Sequence, residues 1–311
     1  MKNSKLAMLF LGIIALGLVS FGFFKTTAHS ISRESSVISI DSFQVYVDEY
    51  SRLSKSDKKK KEFQKLLVKL QQYAATIKHS RNVLFKNVRY NLFVADLDSD
   101  NIQLHLLNPN TGIHLSSLGA VKKLLEAQGL QPLMITNAGM YTAEENPEGL
   151  FVSESNKSFF ELDTGGARTN ANFYLKPNGV FYLDKANTPH IDTTESVQRL
   201  SPAAIKQWKL ATQSGPMLVI NGKIHRAFIQ ESKNLKIRSG VGVMPSKTKV
   251  VFAITLNESN FFDFATFFKD VFQCQNALFL DGAISKMYLS DLHPKELEGN
   301  FGPMISVSKK H

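Results

Sequence analysis

From residue 90 onward the apolar positions alternate or cluster in short runs bounded by turn residues, the pattern of strands in a sheet. Tyr90, Leu92 and Val94 alternate up to Asp98-Ser99-Asp100-Asn101, and Ile102, Leu104 and Leu106 alternate up to Asn108-Pro109-Asn110-Thr111-Gly112. Leu118, Val121, Leu124 and Leu125 recur at helical steps before Gly129, which predicts a helix over residues 116–128 with a glycine stop. Further strands are predicted at 133–136, 149–153, 172–175, 180–183, 216–220, 240–244 and 250–254, and a second helix over 261–272. The run Ala277-Leu278-Phe279-Leu280 ends at Asp281-Gly282, so a buried strand delivers a carboxylate to the rim of the core. The fold class this predicts is α+β, a mostly antiparallel mixed sheet flanked by a few helices.

Upstream the texture differs. Residues 6–24 form an unbroken apolar or small-residue run behind Lys2 and Lys5. Nineteen helical residues span roughly 28 Å, close to the bilayer's hydrocarbon thickness of about 30 Å. We read this run as a signal anchor, with a cleaved signal peptide as the alternative. The lysines before it keep the N-terminus inside and place the rest in an extracytoplasmic compartment, periplasmic or at the cell surface. A polar stretch follows as a tether. Then Phe63, Leu66, Leu67, Leu70, Tyr73, Ala74 and Ile77 mark an amphipathic helix over residues 58–78 with a lysine-rich opposite face. That helix either packs on the following domain or lies near anionic head groups, where each basic residue adds about 1 kcal/mol. The expected organisation is 1–25 signal or anchor, 26–87 tether and basic helix, and 88–311 globular domain.

Charge sharpens this picture. The net charge of +10 is local: residues 51–90 hold twelve Lys or Arg against two acidic residues, and the remainder carries 25 of each sign. A basic arm on a neutral domain points to an anionic surface and not to a nucleic-acid partner. A single cysteine, Cys274, excludes an internal disulfide framework and any multi-cysteine metal cluster.

Seven ordered motifs carry a resemblance. They are Asn137-Ala138-Gly139-Met140-Tyr141, Pro147-Glu148-Gly149-Leu150-Phe151-Val152, Asn172-Phe173-Tyr174-Leu175-Lys176-Pro177-Asn178-Gly179-Val180, Gln213-Ser214-Gly215-Pro216-Met217-Leu218, Arg238-Ser239-Gly240-Val241-Gly242-Val243, Leu280-Asp281-Gly282 and Gly302-Pro303-Met304. Together they resemble the phosphodiester glycosidase family, bacterial branch, whose members include an enzyme that removes N-acetylglucosamine from a sugar phosphodiester. Ala283 stands where many relatives carry glycine or serine. The resemblance implies hydrolysis of a sugar-1-phosphodiester in envelope glycans or glycolipids. A non-catalytic glycan or phosphoglycan binding module is the alternative.

Breaking a sugar C1-to-phosphate bond requires stabilisation of an oxocarbenium-like transition state, a nucleophile or activated water, and neutralisation of the departing phosphate. Asp281 is assigned as the carboxylate acting on the sugar, Glu148 as its partner with Glu161 or Asp163 behind it, and Arg238 as the phosphate-binding fork. Asn137 and Gln213 suit sugar hydroxyls, Gly139, Gly215 and Gly282 suit a backbone-lined cleft, and Ser285 suits a phosphate donor. His190 and His225 are read as incidental loop histidines. Asp, Asn and carbonyl groups also suit calcium or magnesium, but no ordered ion-loop spacing occurs, so no cofactor or metal is assigned.

Overall fold

The computed structural model describes residues 44, 46–50, 61–154, 158–166, 172–282, 284–292 and 296–310. The predicted anchor lies outside the described residues, and among those described no helix is long and apolar enough to cross a membrane. In chain order the elements are helix α1 (Lys61–Thr76), strands β1 (His79–Phe85), β2 (Val88–Asp96) and β3 (Asp100–His105), helix α2 (Leu118–Ala127), and strands β4 (Pro132–Asn137), β5 (Phe151–Ser153) and β6 (Ser158–Phe160). There follow β7 (Gly179–Leu183), β8 (Pro189–Thr193), short helices α3 (Thr194–Val197) and α4 (Pro202–Ile205), β9 (Leu210–Ser214), β10 (Met217–Ile220) and β11 (Lys223–Ile224). The last are β12 (Ser239–Val243), β13 (Lys249–Thr255), helix α5 (Phe261–Thr266), β14 (Ala277–Phe279), β15 (Met287–Leu289) and β16 (Met304–Lys309).

Three antiparallel sheets result, with orders β1-β2-β13-β12-β14-β10-β11, β15-β4-β16-β3 and β6-β5-β9-β7-β8. Strand alternation divides the core into two layers across the seven-stranded sheet. Tyr90, Leu92 and Val94 of β2, with Ala277 and Phe279 of β14, face a cluster shared with α1 and α5. Phe93 and Ala95, with Leu278 and Leu280, face the other two sheets in a second cluster with Leu104, Met134, Phe151, Phe181 and Ile305. Both faces of β14 are therefore buried, which is why its sequence is an uninterrupted apolar run. Each fully buried Leu or Phe contributes about 1.5–3 kcal/mol, so the strand ending at Asp281 is firmly fixed.

The helices follow local chemistry. Ser117 Oγ accepts from Ala120 N at 3.1 Å and caps α2, while Gly129, at φ +71 to +76 like Gly112 and in the left-handed region, lets Leu130 N reach Leu125 O. Leu118, Val121 and Leu125 then pack on Ile135, Tyr288 and Met304. On α1, Phe63, Leu66, Leu70 and Ala74 are buried in the α5-side cluster, while Lys61, Lys65 and Lys69 are exposed. Strand β1 pairs along its whole length with β2, so the sheet begins at His79, ahead of the expected domain start at 88.

Two expected elements differ. The strand expected at 172–175 is a 3-10 turn, Asn172–Tyr174. Leu175 N donates to Asn172 O and Asn178 Nδ2 to Phe173 O at 3.0 Å, closing a turn whose rings face inward instead of joining a sheet. The helix expected over 261–272 is α-helical only to Thr266 and then widens into a π turn, Phe267–Val271. Cys274 lies in this core, 1% exposed, and burial pushes its thiol pKa up.

Candidate active site

Strand β14 ends where its core ends, and Asp281 emerges into a cavity of about 240 Å³ lined by Met140, Tyr141, Glu148, Phe173, Asp281 and Ile284. Four of the sequence motifs supply its walls. Asp281 Oδ1 accepts from Gly282 N at 2.6 Å, and Oδ2 is buried with no hydrogen-bond partner among the described residues. Burial raises the carboxyl above the usual aspartate range, opposed by the Gly282 bond. A carboxyl in this setting holds a proton more readily than a solvated one.

Glu148 lies in the same cavity lining. Tyr174 Oη lies 2.9 Å from Glu148 Oε1 and 3.4 Å from Asp163 Oδ2, so one hydroxyl bridges two of the predicted carboxylates. Tyr141 Oη donates to Asn300 O at 2.9 Å. Its ionisation is pushed up, first by burial and then by the negative charge of Asp281 and Glu145. Tyr141, Tyr174, Phe173 and Met140 were absent from the expected site residues, although all four lie inside the quoted motifs. Their signal was the placement of aromatic residues beside motif glycine and asparagine.

The remaining predicted residues divide between wall, frame and elsewhere. Ser239 N and Oγ both donate to Asp281 O, at 2.9 and 3.1 Å, and Ser239 Oγ also meets Ser285 Oγ at 2.9 Å. Ser285 thus belongs to the Asp281-Gly282 turn, where its N donates to Gly282 O. Asn137 Oδ1 accepts from Lys286 N at 2.9 Å on the same segment, and its Nδ2 is buried without a partner among the described residues. Two unpaired buried polar atoms, on Asn137 and Asp281, are therefore held by one loop, and each costs about 1–3 kcal/mol while unsatisfied.

Gln213 does not reach toward a ligand. Its Oε1 accepts from Leu150 N and Asp163 N, both at 2.9 Å, and its Nε2 donates to Asp163 O at 2.7 Å and Thr194 Oγ1 at 3.1 Å. All of its amide capacity is used to fasten the segments that carry Glu148 and Asp163. Gly139 and Gly149 serve this same knot, since a Cβ would sit 2.1 Å from Gln213 O in the first and 2.2 Å from Gln213 Oε1 in the second. Gly215 admits the Phe173 turn, whose carbonyl would lie 2.7 Å from an added Cβ.

Arg238 is a correction. It precedes β12 and joins Asp281 only through Ser239, and it is not part of the cavity wall. The side chain is 1% exposed. Its Nε donates to Ser259 O at 2.7 Å and Nη2 to Asn234 O at 2.9 Å, and its guanidinium stacks on Phe261, 3.6 Å from the ring centroid. Burial lowers its pKa to about 10, which leaves it charged at neutral pH. A buried guanidinium is stable only with such partners, so here it fastens the 234–238 and 259–261 segments and presents no fork to this cavity. His190 and His225 also lie outside the wall: His190 meets Asp184 at 3.0 Å and His225 Nε2 donates to Lys176 O at 3.0 Å. Among the described residues no group of three or more His, Cys, Asp or Glu could hold a metal ion.

A family model described as phosphodiester glycosidase matches residues 131–305, the span that supplies every wall of this cavity. The chain belongs to the phosphodiester glycosidase family. A curated relative in Escherichia coli (strain K12), Uncharacterized protein YigE, is 31% identical over 223 residues, covering 67% of this chain and 82% of that protein. Among solved structures, the zebrafish N-acetylglucosamine-1-phosphodiester alpha-N-acetylglucosaminidase catalytic domain, auto-inhibited by its pro-peptide, is similar at 14% identity and a TM-score of 0.49, covering 74% of this chain and 82% of that one. A hypothetical protein from Synechocystis is similar at 11% identity and a TM-score of 0.44, over 74% and 61%. The phosphodiester glycosidase match places Asp281, Glu148, Tyr141 and Phe173 within the family segment.

Proposed function

We propose that this protein hydrolyses a sugar-1-phosphodiester, with Asp281 and Glu148 as the carboxyl pair. The observation that carries the reading is the Asp281 carboxyl, buried at the cavity wall with one oxygen unpaired and its pKa raised. Functional carboxyls are commonly arranged in this way, because desolvation raises their affinity for a proton. Burial favours the protonated form of Asp281, and in that form it meets an anionic phosphodiester without charge repulsion and has a proton to pass to the departing phosphate oxygen. Glu148, oriented by Tyr174, faces the sugar as nucleophile or as base for water. Asn137, fully buried and outside the cavity lining, holds through its Oδ1 the Lys286 end of the loop that carries Asp281. Phe173, Met140 and Ile284 supply the apolar wall.

The protein is incubated with a panel of sugar-1-phosphodiesters and free sugar is measured. Release by wild type and its loss in Asp281→Asn supports the reading. Saturable binding without release, the same in both proteins, replaces it with a binding module. We further propose that the domain acts outside the cytoplasm, on envelope glycans or glycolipids, held by residues 6–24. The support is the apolar run behind two lysines. Protease added to spheroplasts, whose outer barrier has been removed, should digest the domain, and protection there with digestion only after the inner membrane is lysed would reverse the assignment.

A further inference from the structure

At the far end of β5 and β9 from Glu148 and Gln213 lies a second cavity, of about 640 Å³, larger than the one at Asp281. Its wall includes Glu154, Phe159, Lys185, Lys206, Trp208 and Lys209. Three ammonium groups and one carboxylate thus share its lining. Among the described residues none of the three lysines forms an ion pair. Lys209 Nζ reaches the neutral Asn187 Oδ1, at 3.3 Å.

One aromatic ring is open to contact, and a second, Trp208, lies 8% exposed in the wall beneath it. Phe159 is 39% exposed, and Lys206 Nζ stands 5.2 Å from its ring centroid. Trp208 is held flat against Tyr182, centroids 3.7 Å apart and planes 11° apart, and Tyr182 stacks in turn on His190 at 4.8 Å. The floor is tied to the sheet, since Lys209 N donates to Leu183 O and Glu154 N to Lys209 O, both at 3.0 Å. A neighbouring cavity of about 280 Å³ shares Glu154 and Lys209, so an elongated ligand has room for a second unit.

We propose that this cavity binds an anionic saccharide, a sugar unit carrying phosphate or carboxylate, at a site separate from the one containing Asp281. Ring faces pack against the C–H faces of a sugar, the lysines meet its anion, and Glu154 with the backbone-anchored rim accepts from hydroxyls. Lysine ammoniums are compact point charges on flexible stems and suit an anion whose position on the ring varies. The volume fits a small ligand or a short polymer segment, not a duplex. The lysines also sit outside the basic 51–90 segment, so this local field is independent of the arm.

Trp208 is the chain's single tryptophan, so intrinsic fluorescence reports this cavity directly. The full chain is titrated with glucose 6-phosphate, glucose, inorganic phosphate and a single-stranded oligonucleotide. Saturable change with glucose 6-phosphate, at least tenfold tighter than with glucose or phosphate, is the expected result. Lys206→Gln with Lys209→Gln, confirmed folded by circular dichroism, weakens it about tenfold, Phe159→Ala weakens it similarly, and Asp281→Asn leaves it unchanged. Equal affinity for inorganic phosphate, tighter binding of the oligonucleotide, no fluorescence response, or loss in Asp281→Asn alone overturns the proposal. Because the readout needs no turnover, its failure is distinct from failure of the hydrolase reading.

Discussion

Replacing Gln213 with leucine separates a frame from a ligand contact. The amide makes four hydrogen bonds, to Leu150 N, Asp163 N, Asp163 O and Thr194 Oγ1, at 2.7–3.1 Å. Leucine keeps much of the volume and none of the bonds. The Thr194 hydroxyl can rotate to a new partner, so the loss falls on three backbone groups that no longer meet the amide. At about 1–3 kcal/mol for each lost bond, softened because Asp163 is only half-buried and its segment can shift toward water or other partners, the loss is about 3–5 kcal/mol. In a domain of this size that lowers Tm by on the order of 10 °C. Urea unfolding followed by circular dichroism measures the loss, and kcat/KM on a sugar-1-phosphodiester measures the displacement of Glu148. Gln213→Glu keeps both acceptor bonds but turns an oxygen toward Asp163 O, so it falls between the two and regains stability as pH is lowered and that oxygen takes a proton. Wild-type stability in Gln213→Leu, together with a raised KM, would refute the frame and restore a direct contact with substrate.

Other outcomes follow from the same geometry. Asp281→Asn should cut turnover by ~10²–10⁴-fold without lowering the unfolding midpoint at pH 7, since it removes the cost of ionising a buried carboxyl; a lowered midpoint in equilibrium unfolding would contradict this. Gly149→Ala drives a methyl to within 2.2 Å of Gln213 Oε1 and should cost about 3 kcal/mol, read by the same unfolding assay. His105, buried with Nε2 2.7 Å from Ser306 Oγ, has its pKa lowered to about 4 by burial. The unfolded chain therefore binds a proton first as pH falls, and stability declines between about 6.5 and 4 by about 3 kcal/mol. His105→Gln should flatten that decline in urea titrations at pH 7 and pH 4.5. Arg238→Met, which removes the side-chain donors to Ser259 O and Asn234 O although Ser259 O keeps Lys236 N, should destabilise by about 1–3 kcal/mol, whereas a selective rise in KM at unchanged stability would return Arg238 to the substrate.

The alternation along β2 and β13, the apolar run of β14 and the glycine stop after α2 were legible because each records a local periodicity and a one-sided or two-sided burial. Asp281 and Glu148 were legible as a pair only through the motifs that carry them. The 172–175 segment was misread because apolar residues look alike whether they join a sheet or wall a cavity. Asn178, five residues past its partner Phe173, bends that chain into a turn.

Sequence alone determined the α+β class, the two-faced burial of β14 and the carboxylate at its exit, since these depend on neighbours in the chain. Only tertiary structure decided what each polar residue spends its hydrogen bonds on. Gln213 is consumed by partners up to 63 residues away, Arg238 by carbonyls and a ring, and Asp281 keeps one oxygen unpaired at the cavity. Donor and acceptor capacity is a property of the residue, but its satisfaction is set by whatever folding brings within about 3 Å.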